Sequence, residues 1–401
     1  MTIAHVLYVA GEDAALRLPF ISAVRDLGYR VSVAASGGGD TFEREGIDFA
    51  PFPFDRFISP WSDRRAIGRL GDILDRLQPD LAQGFDTKPC LMLPIAAAGR
   101  DVLSVRTICG RGWVYSSRSP LAMAVRLVFR GLHGVVASRY ADATVFQNGS
   151  DRDYFRQHNM AGRNAIVIPA GGGGIDPDRF YSALRTSPEP ETLRAELGLG
   201  DDEIVITVSR LTRQKGIGTL LQAADLVRRK RPGVRFLLVG PRDSEGRDAI
   251  SGAEIERMAP TVVATGARND IPALLRMADL FAFPTEYAEG VPRVLLEAAL
   301  AGLPIVSTSM PGCLEVIEDG KTGRLVPPRS PDQLADAILR ALSDRQESTS
   351  MAARLPAAVR DRFTVAGGAA RHDAFYRALL AGRANRAHDA PDWNAADAGP
   401  A

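Results

Sequence analysis

Two successive series of short apolar β-rich runs alternate with amphipathic helical stretches, interrupted once by a proline and four consecutive glycines. No other feature constrains the fold of this chain as strongly. Strand and helix periods that alternate in this way specify βαβ units, whose strands run parallel and whose crossover helices cover the sheet. In the first series the strand-like runs are 3–10, 31–35, 102–106, 143–147 and 165–168, and helical periodicity covers 14–27, 67–77 and 121–140. The series closes at Pro169, and the glycines at 171–174 and the polar, proline-containing stretch 187–190 read as a flexible linker. A second series then starts afresh. It has strands at 203–209, 234–239, 261–265, 280–283, 304–307 and 324–326 and helices at 216–230, 292–301 and 331–342.

The 401 residues agree with this division, since a domain averages about 150 residues. The expected architecture is α/β, with two Rossmann-like domains facing across a cleft. The boundaries are an N-terminal domain at 1–170, a hinge at 171–190 and a C-terminal domain at 191–363. A helix at 364–382 packs back towards the N-terminal domain, and 383–401 forms a disordered tail rich in Ala, Asp, Pro and Asn. Ligands of such sheets bind outside the carboxyl ends of the strands, so the cleft is where chemistry is expected.

Composition removes several function classes. No run of about 18 apolar residues occurs, and the first apolar stretch has neither a charged leader nor a cleavage site, so no membrane span and no secretory signal are expected. With 49 basic and 48 acidic residues the chain has no overall field for nucleic acid. Cys90, Cys109 and Cys313 lack metal-ligand spacing and read as free thiols of a reducing, cytoplasmic compartment. Only four residues are lysines (Lys88, Lys215, Lys230 and Lys321) in a chain that otherwise uses arginine.

Gly11 stands alone after the first strand, so a dinucleotide fingerprint is absent, and Gly240-Pro241-Arg242 lacks the Gly-Lys-Ser/Thr of a P-loop. The stretch from Glu286 to Glu297 carries more information. Pro292 suits the first position of a helix, which puts Gly290 and Val291 at its entrance, where free N–H groups and the positive dipole end favour an anion. Glu289 precedes that helix and Glu297 lies about one and a half turns inside it, so the two carboxylates can address different hydroxyl-rich parts of one phosphate-bearing ligand. The alternative is a helix whose acidic residues complement its own dipole. Arg210 and Lys215, in the connection after the strand at 203–209, can converge on phosphates at the same sheet edge, or form a solvated basic loop. The loop from Gly266 to Pro272, with Arg268, could enclose a base or add a cation. Asp151-Arg152-Asp153 imitates a metal-binding Asp-x-Asp but follows Asn148-Gly149-Ser150 at a helix start, where capping explains it.

These residues resemble the retaining GT-B glycosyltransferases of the group-1, family-4 kind. The similarity rests on Ser209 to Gly216, Gly266 to Pro272, Glu289 to Glu297, and Pro311 to Gly323, in order and spacing across almost the whole second half. The first half resembles a narrower subgroup acting in cell-surface polysaccharide and lipid-linked glycan assembly. The match there runs through Arg17-Leu18-Pro19, Thr87-Lys88-Pro89, Thr107 to Gly110, Phe146 to Asn148 with Asp151, and Ile168-Pro169 into Gly174-Ile175-Asp176 with Phe180. It departs at Gln83 to Asp86, where relatives carry a histidine, and lacks a double glycine after the first strand.

The resemblance implies transfer of a sugar, with retention, from a nucleoside-diphosphate sugar, UDP favoured, to a glycan or polyprenyl-diphosphate-linked acceptor in surface polysaccharide biosynthesis. It gives Glu289, Arg210 and Lys215 the catalytic roles. Gly290, Val291, Pro292, Glu297, Arg268 and Gly266 bind the donor, and Thr107, Gly110, Arg111 and Asn148 lie on the acceptor side. No metal or cofactor is implied. The remaining readings are a catalytically silent nucleotide-sugar-binding homologue or partner subunit, and a GT-B epimerase or phosphorylase. Seven arginines (Arg100, Arg106, Arg111, Arg118, Arg126, Arg130 and Arg139) face one acid, Asp101, across a segment rich in apolar residues. That segment is either a surface resting on anionic lipid at the inner face of the plasma membrane or a core helix with an exposed arginine face.

Overall fold

The structure, a computed structural model, describes residues 3–55, 59–116, 120–242 and 248–384. The chain forms two compact units, one of Met1–Gly174 with Val365–Ala401 and one of Ile175–Thr364. Each is a parallel sheet covered by helices.

The first unit has seven strands: β1 (His5–Ala10), β2 (Arg30–Ala35), β3 (Asp48–Pro51), β4 (Leu81–Phe85), β5 (Leu103–Ile108), β6 (Ala143–Phe146) and β7 (Ala165–Val167). Their order across the sheet is β3-β2-β1-β4-β5-β6-β7, all parallel. β1 and β4 are buried along their whole length, as strands covered on both faces must be. The second unit has β8 (Glu203–Val208), β9 (Val234–Val239), β10 (Val262–Gly266), β11 (Leu280–Phe283), β12 (Ile305–Thr308) and β13 (Arg324–Val326) in the order β10-β9-β8-β11-β12-β13. Both orders reverse once, between β1 and β4 and between β8 and β11, and the helices on the two sides of such a reversal leave for opposite faces and open a crevice.

In the second unit all six expected strands form, as do the helices Ile217–Lys230, Arg293–Leu300 and Pro331–Ser343. The first unit differs more from expectation. The helix read at 14–27 is a 3₁₀ segment, Glu12–Arg17, followed by an α-helix, Leu18–Asp26, whose first turn holds Pro19. A proline is accommodated there because a first-turn amide has no intrahelical partner. The stretch 171–190 is not a structureless linker, because it contains the helix Pro177–Arg185. The glycines, read as flexible, serve packing: Gly172 has φ +73° and a Cβ there would lie 2.0 Å from the ring of Phe85, which is fully buried. The helix Val365–Ala384 belongs to the first unit, where Ala369, Phe375, Tyr376 and Leu379 enter the core beside Phe20, Ile21 and Val24 of the helix Leu18–Asp26. Residues 385–401 of the expected tail lie outside the described residues, as does Arg118.

Candidate active site

The exits of β8 and β11 lie side by side at the reversal of the second sheet. Three glycines let the loops leaving this edge approach at backbone distance. A Cβ on Gly216 (φ +73°) would lie 1.8 Å from the carbonyl oxygen of Pro284, one on Gly240 (φ +143°) 1.9 Å from that of Ser209, and one on Gly312 1.7 Å from that of Gly290. No side chain fits at such distances. The Glu286 amide donates to the Gln214 carbonyl at 2.9 Å, tying the loop after β8 to the loop after β11.

This approach joins Lys215 to Glu289. The ammonium donates to both carboxylate oxygens, at 2.7 and 2.9 Å, with side-chain exposures of 11% and 18%. The Thr285 hydroxyl donates to Glu289 Oε1 at 3.1 Å, and Lys215 Nζ lies 5.5 Å from the centre of the Phe283 ring and 5.8 Å from that of Tyr287. Thr212 Oγ1 accepts the Lys215 amide at 3.3 Å, fixing the turn, and Arg210 lies half-buried in the same loop. A half-shielded cation and anion thus share one edge, where an incoming anion can compete for the cation.

Pro292 is the cap residue and the helix begins at Arg293, one residue later than expected. Burial raises the Glu297 carboxyl above its ordinary range, partly offset by Arg293, whose Nε donates to it at 3.2 Å. Glu286, in the same loop, is held by the Thr219 hydroxyl at 2.8 Å and by Arg329 Nε at 2.6 Å, so it braces the loop. Gly266 ends β10 at φ +74°, and its carbonyl accepts the Gly240 amide. Arg268 does not stand as an added cation. Its guanidinium is held by Asp270, at 2.8 and 2.5 Å, and by Glu196, at 2.7 Å.

In the first unit the candidates divide. Thr107 is fully buried and accepts from Gln83 Nε2 at 2.6 Å. Asn148, also fully buried, caps the helix Gly149–Gln157 by accepting the Asp151 amide at 2.7 Å, and its Nδ2 donates to the Asp151 carboxylate. Asp151 therefore belongs to a cap, and Arg111 pairs with it at 2.6 Å while lying over the Tyr154 ring. Gly110, at φ +116°, remains half-buried at the exit of β5.

Gln83 opens the stretch to Asp86 that carries no histidine of its own, yet a histidine reaches it from elsewhere. His372 Nδ1 donates to the Gly368 carbonyl at 2.8 Å, which leaves Nε2 to accept from Gln83 Nε2 at 3.3 Å, and the Tyr376 hydroxyl donates to Gln83 Oε1. Burial pushes the His372 imidazole down to about 4. At the β1–β4 reversal, Asp86 adopts φ +66° and accepts from the Gly11 amide at 3.2 Å and from Arg17 at 3.1 Å, with the guanidinium over Phe85. The sequence reading gave Asp86 no role. A carboxylate immediately before Thr87-Lys88-Pro89 at a strand exit is the only local signal for it.

The helix Pro120–Arg139 exposes an aliphatic face rather than an arginine face: Met123, Leu127, Val128, Leu132 and Val135 are exposed, Leu127 and Val128 by 70% and 72%, while Arg126 and Arg130 are half-buried. Among the described residues no helix is long and apolar enough to cross a membrane, and no group of three His, Cys, Asp or Glu side chains is placed to hold a metal ion.

Residues 189–357 match the family described as glycosyl transferases group 1, and residues 18–171 match the glycosyl transferase 4-like domain. The chain is 25% identical over 357 residues to the N,N'-diacetylbacillosaminyl-diphospho-undecaprenol alpha-1,3-N-acetylgalactosaminyltransferase of Campylobacter jejuni, covering 88% of this chain and 92% of that protein. It is 34% identical over 193 residues to a GDP-mannose-dependent alpha-(1-6)-phosphatidylinositol monomannoside mannosyltransferase of Mycobacterium tuberculosis, which is 45% of this chain and spans about half of that relative, 48%. The fold is similar to that of Anabaena HepE, solved in complex with UDP-glucose, with a TM-score of 0.75 at 23% identity over 95% of this chain and 99% of that one.

Proposed function

Since the chain is a glycosyltransferase of the GT-B fold, related to the group-1 and family-4 enzymes, we propose that it transfers a sugar with retention from a nucleoside-diphosphate sugar to a glycan or polyprenyl-diphosphate-linked acceptor. The pathway is cell-surface polysaccharide biosynthesis. UDP is the favoured nucleotide, as in the HepE complex, although the mycobacterial relative is named for GDP-mannose.

The observation that carries this reading is the Lys215–Glu289 pair beside Arg210 at the β8–β11 exit. Breaking a glycosyl–phosphate bond builds negative charge on the departing diphosphate, and fixed cations and helix-entry amides lower the energy of that charge. A bound diphosphate draws the Lys215 ammonium from Glu289 onto its oxygens. Glu289 is then free to accept hydrogen bonds from sugar hydroxyls, with Gly290, Val291 and Pro292 shaping the seat and Glu297 receiving the ribose. Arg268 and Gly266 shape the base side. The acceptor lies on the first unit, near Gly110 and Arg111, with Thr107 and Asn148 supporting that edge from within.

Lys215→Ala and Arg210→Ala should each weaken UDP binding in calorimetric titrations and lower turnover by about 10²–10³, the usual cost of removing one such stabilising donor. Unchanged binding and turnover in both variants would sink the site assignment. GDP and ADP titrated in parallel identify the base.

A membrane surface on the same reading is supported by the exposed aliphatic face of the helix Pro120–Arg139, with Arg139 and Tyr140 at its end. Co-sedimentation with anionic liposomes should be lost in Leu127→Glu/Val128→Glu. Absence of wild-type binding at low salt would remove the idea.

A further inference from the structure

The helix Pro60–Leu77 starts at the carboxyl edge of the first sheet, because it forms the crossover from β3 to β4. Lys88, just beyond β4, fixes that position by donating to Asp63 at 2.5 Å. In the first two turns Trp61, Arg64 and Arg65 are spaced i, i+3, i+4 and so share one face. They line a concavity of about 510 Å³.

Nothing in the fold accounts for these side chains. Trp61 is 77% exposed, and among the described residues no ring or cation lies over its indole. Arg64 and Arg65 are exposed and form no ion pair or hydrogen bond among the described residues, unlike Arg17, Arg100 and Arg111 of the same unit, which pair with carboxylates. Indole offers a flat face to the C–H side of a sugar ring, and guanidinium forks match carboxylate or phosphate oxygens. We propose that this concavity is a saccharide subsite, in which Trp61 stacks on a sugar ring and Arg64 and Arg65 take an anionic group attached to it, a uronate carboxylate or a glycosyl diphosphate. The subsite rests on the proposed transferase activity and gives it an acceptor class: an anionic saccharide approaching along the carboxyl edge of the first sheet.

The contrast with the helix Pro120–Arg139 argues against lipid at this place. A surface that enters a bilayer presents several neighbouring aliphatic side chains, as that helix does, whereas no other large apolar side chain on the helix Pro60–Leu77 is exposed.

The test titrates the full chain with an oligoglucuronate, with a short-prenyl diphosphate-linked hexosamine, with a neutral oligosaccharide and with anionic lipid vesicles, following tryptophan fluorescence. UDP binding is measured in parallel. Trp61 is one of three tryptophans, so the signal missing from Trp61→Ala belongs to it. An anionic saccharide should change the wild-type emission, and Trp61→Ala and Arg64→Glu/Arg65→Glu should each weaken its binding about tenfold or more, the loss of about 1.4 kcal/mol, with UDP affinity unchanged. Which anion binds, uronate or diphosphate, separates the two sources. The neutral sugar binding as tightly, the variants titrating like wild type, or a response to anionic vesicles alone would each overturn the subsite. A loss of UDP binding in the wild-type chain would instead strike the donor reading.

Discussion

The two units share a strand order around one reversal but fill their interiors differently. Among the described residues, the buried polar side chains of the second unit are all hydroxyls: Thr207, Thr212, Thr285, Ser307, Thr308 and Ser348. Those of the first include His5, His133, His372, Gln83, Asn148, Asp151 and Arg106, the last with its guanidinium held by Thr144 Oγ1 and the Met160 carbonyl. Hydroxyls bond a nearby carbonyl and leave the surrounding packing apolar, as Thr207 does with Ala282 and Ser307 with Phe283. Imidazole and guanidinium need partners drawn from several elements. The second unit therefore builds its site by bringing backbones together, while the first relies on long-range side-chain networks.

The sharpest way to break this comparison is to deny the second unit its close approaches. Gly312→Ala places a methyl 1.7 Å from the Gly290 carbonyl, and Gly216→Ala sets one 1.8 Å from that of Pro284 while also straining φ. Each should cost about 3–5 kcal/mol of stability by overpacking and backbone strain, and should abolish detectable UDP binding by separating Lys215 from Glu289. Gly302→Ala is the control, since φ is +68° there but nothing lies within 4 Å of the added methyl. It should cost about 1–2 kcal/mol and leave UDP affinity intact. If Gly312→Ala binds UDP like wild type, the loops are not held by backbone contact.

The same difference explains what could be read beforehand. In the second unit, strand exits carry glycine, lysine and glutamate at short, fixed spacings, so all six strands and the charged candidates were visible. Their pairing was not, because Lys215 and Glu289 are 74 residues apart and meet only when β11 lies beside β8. In the first unit two strands are missing from the periodicity reading. β3 has four residues and ends in proline, and β4 carries Gln83 and Gly84 in place of apolar residues. The polarity that hides β4 has a partner 289 residues away in His372, which no local pattern shows. Thr107 and Asn148, which the resemblance places on the acceptor side, are buried and internally bonded, and nothing local in the sequence distinguishes such a satisfied polar residue from an exposed one.

Acid should separate the units in the direction set by these interiors. The second unit contains no histidine, whereas His372 in the first is pushed down to about 4 and His133 to about 3. An unfolded histidine titrates near 6.5, so between roughly pH 6.5 and 4 the unfolded chain takes up a proton that native His372 refuses. Its contribution is fully present above pH 6.5 and is lost as the pH falls towards 4, on the order of 3 kcal/mol at the lower end. The groups around it do not titrate in this window: the hydroxyls of Tyr8 and Tyr376 are raised far above neutrality, and Gln83 carries no charge. Asp151, raised by burial, works in the opposite sense, since its protonation on acidification favours the native state. Hydrogen exchange followed from pH 7 to pH 4 should therefore accelerate first in β4, β5 and the helix Val365–Ala384, while β8 and β11 keep their protection. His372→Asn removes the titrating group, so the exchange of β4 and β5 should become less steep in pH even if that variant is less stable at pH 7. An unchanged slope would show that Gln83 and His372 do not set the acid sensitivity of the first unit.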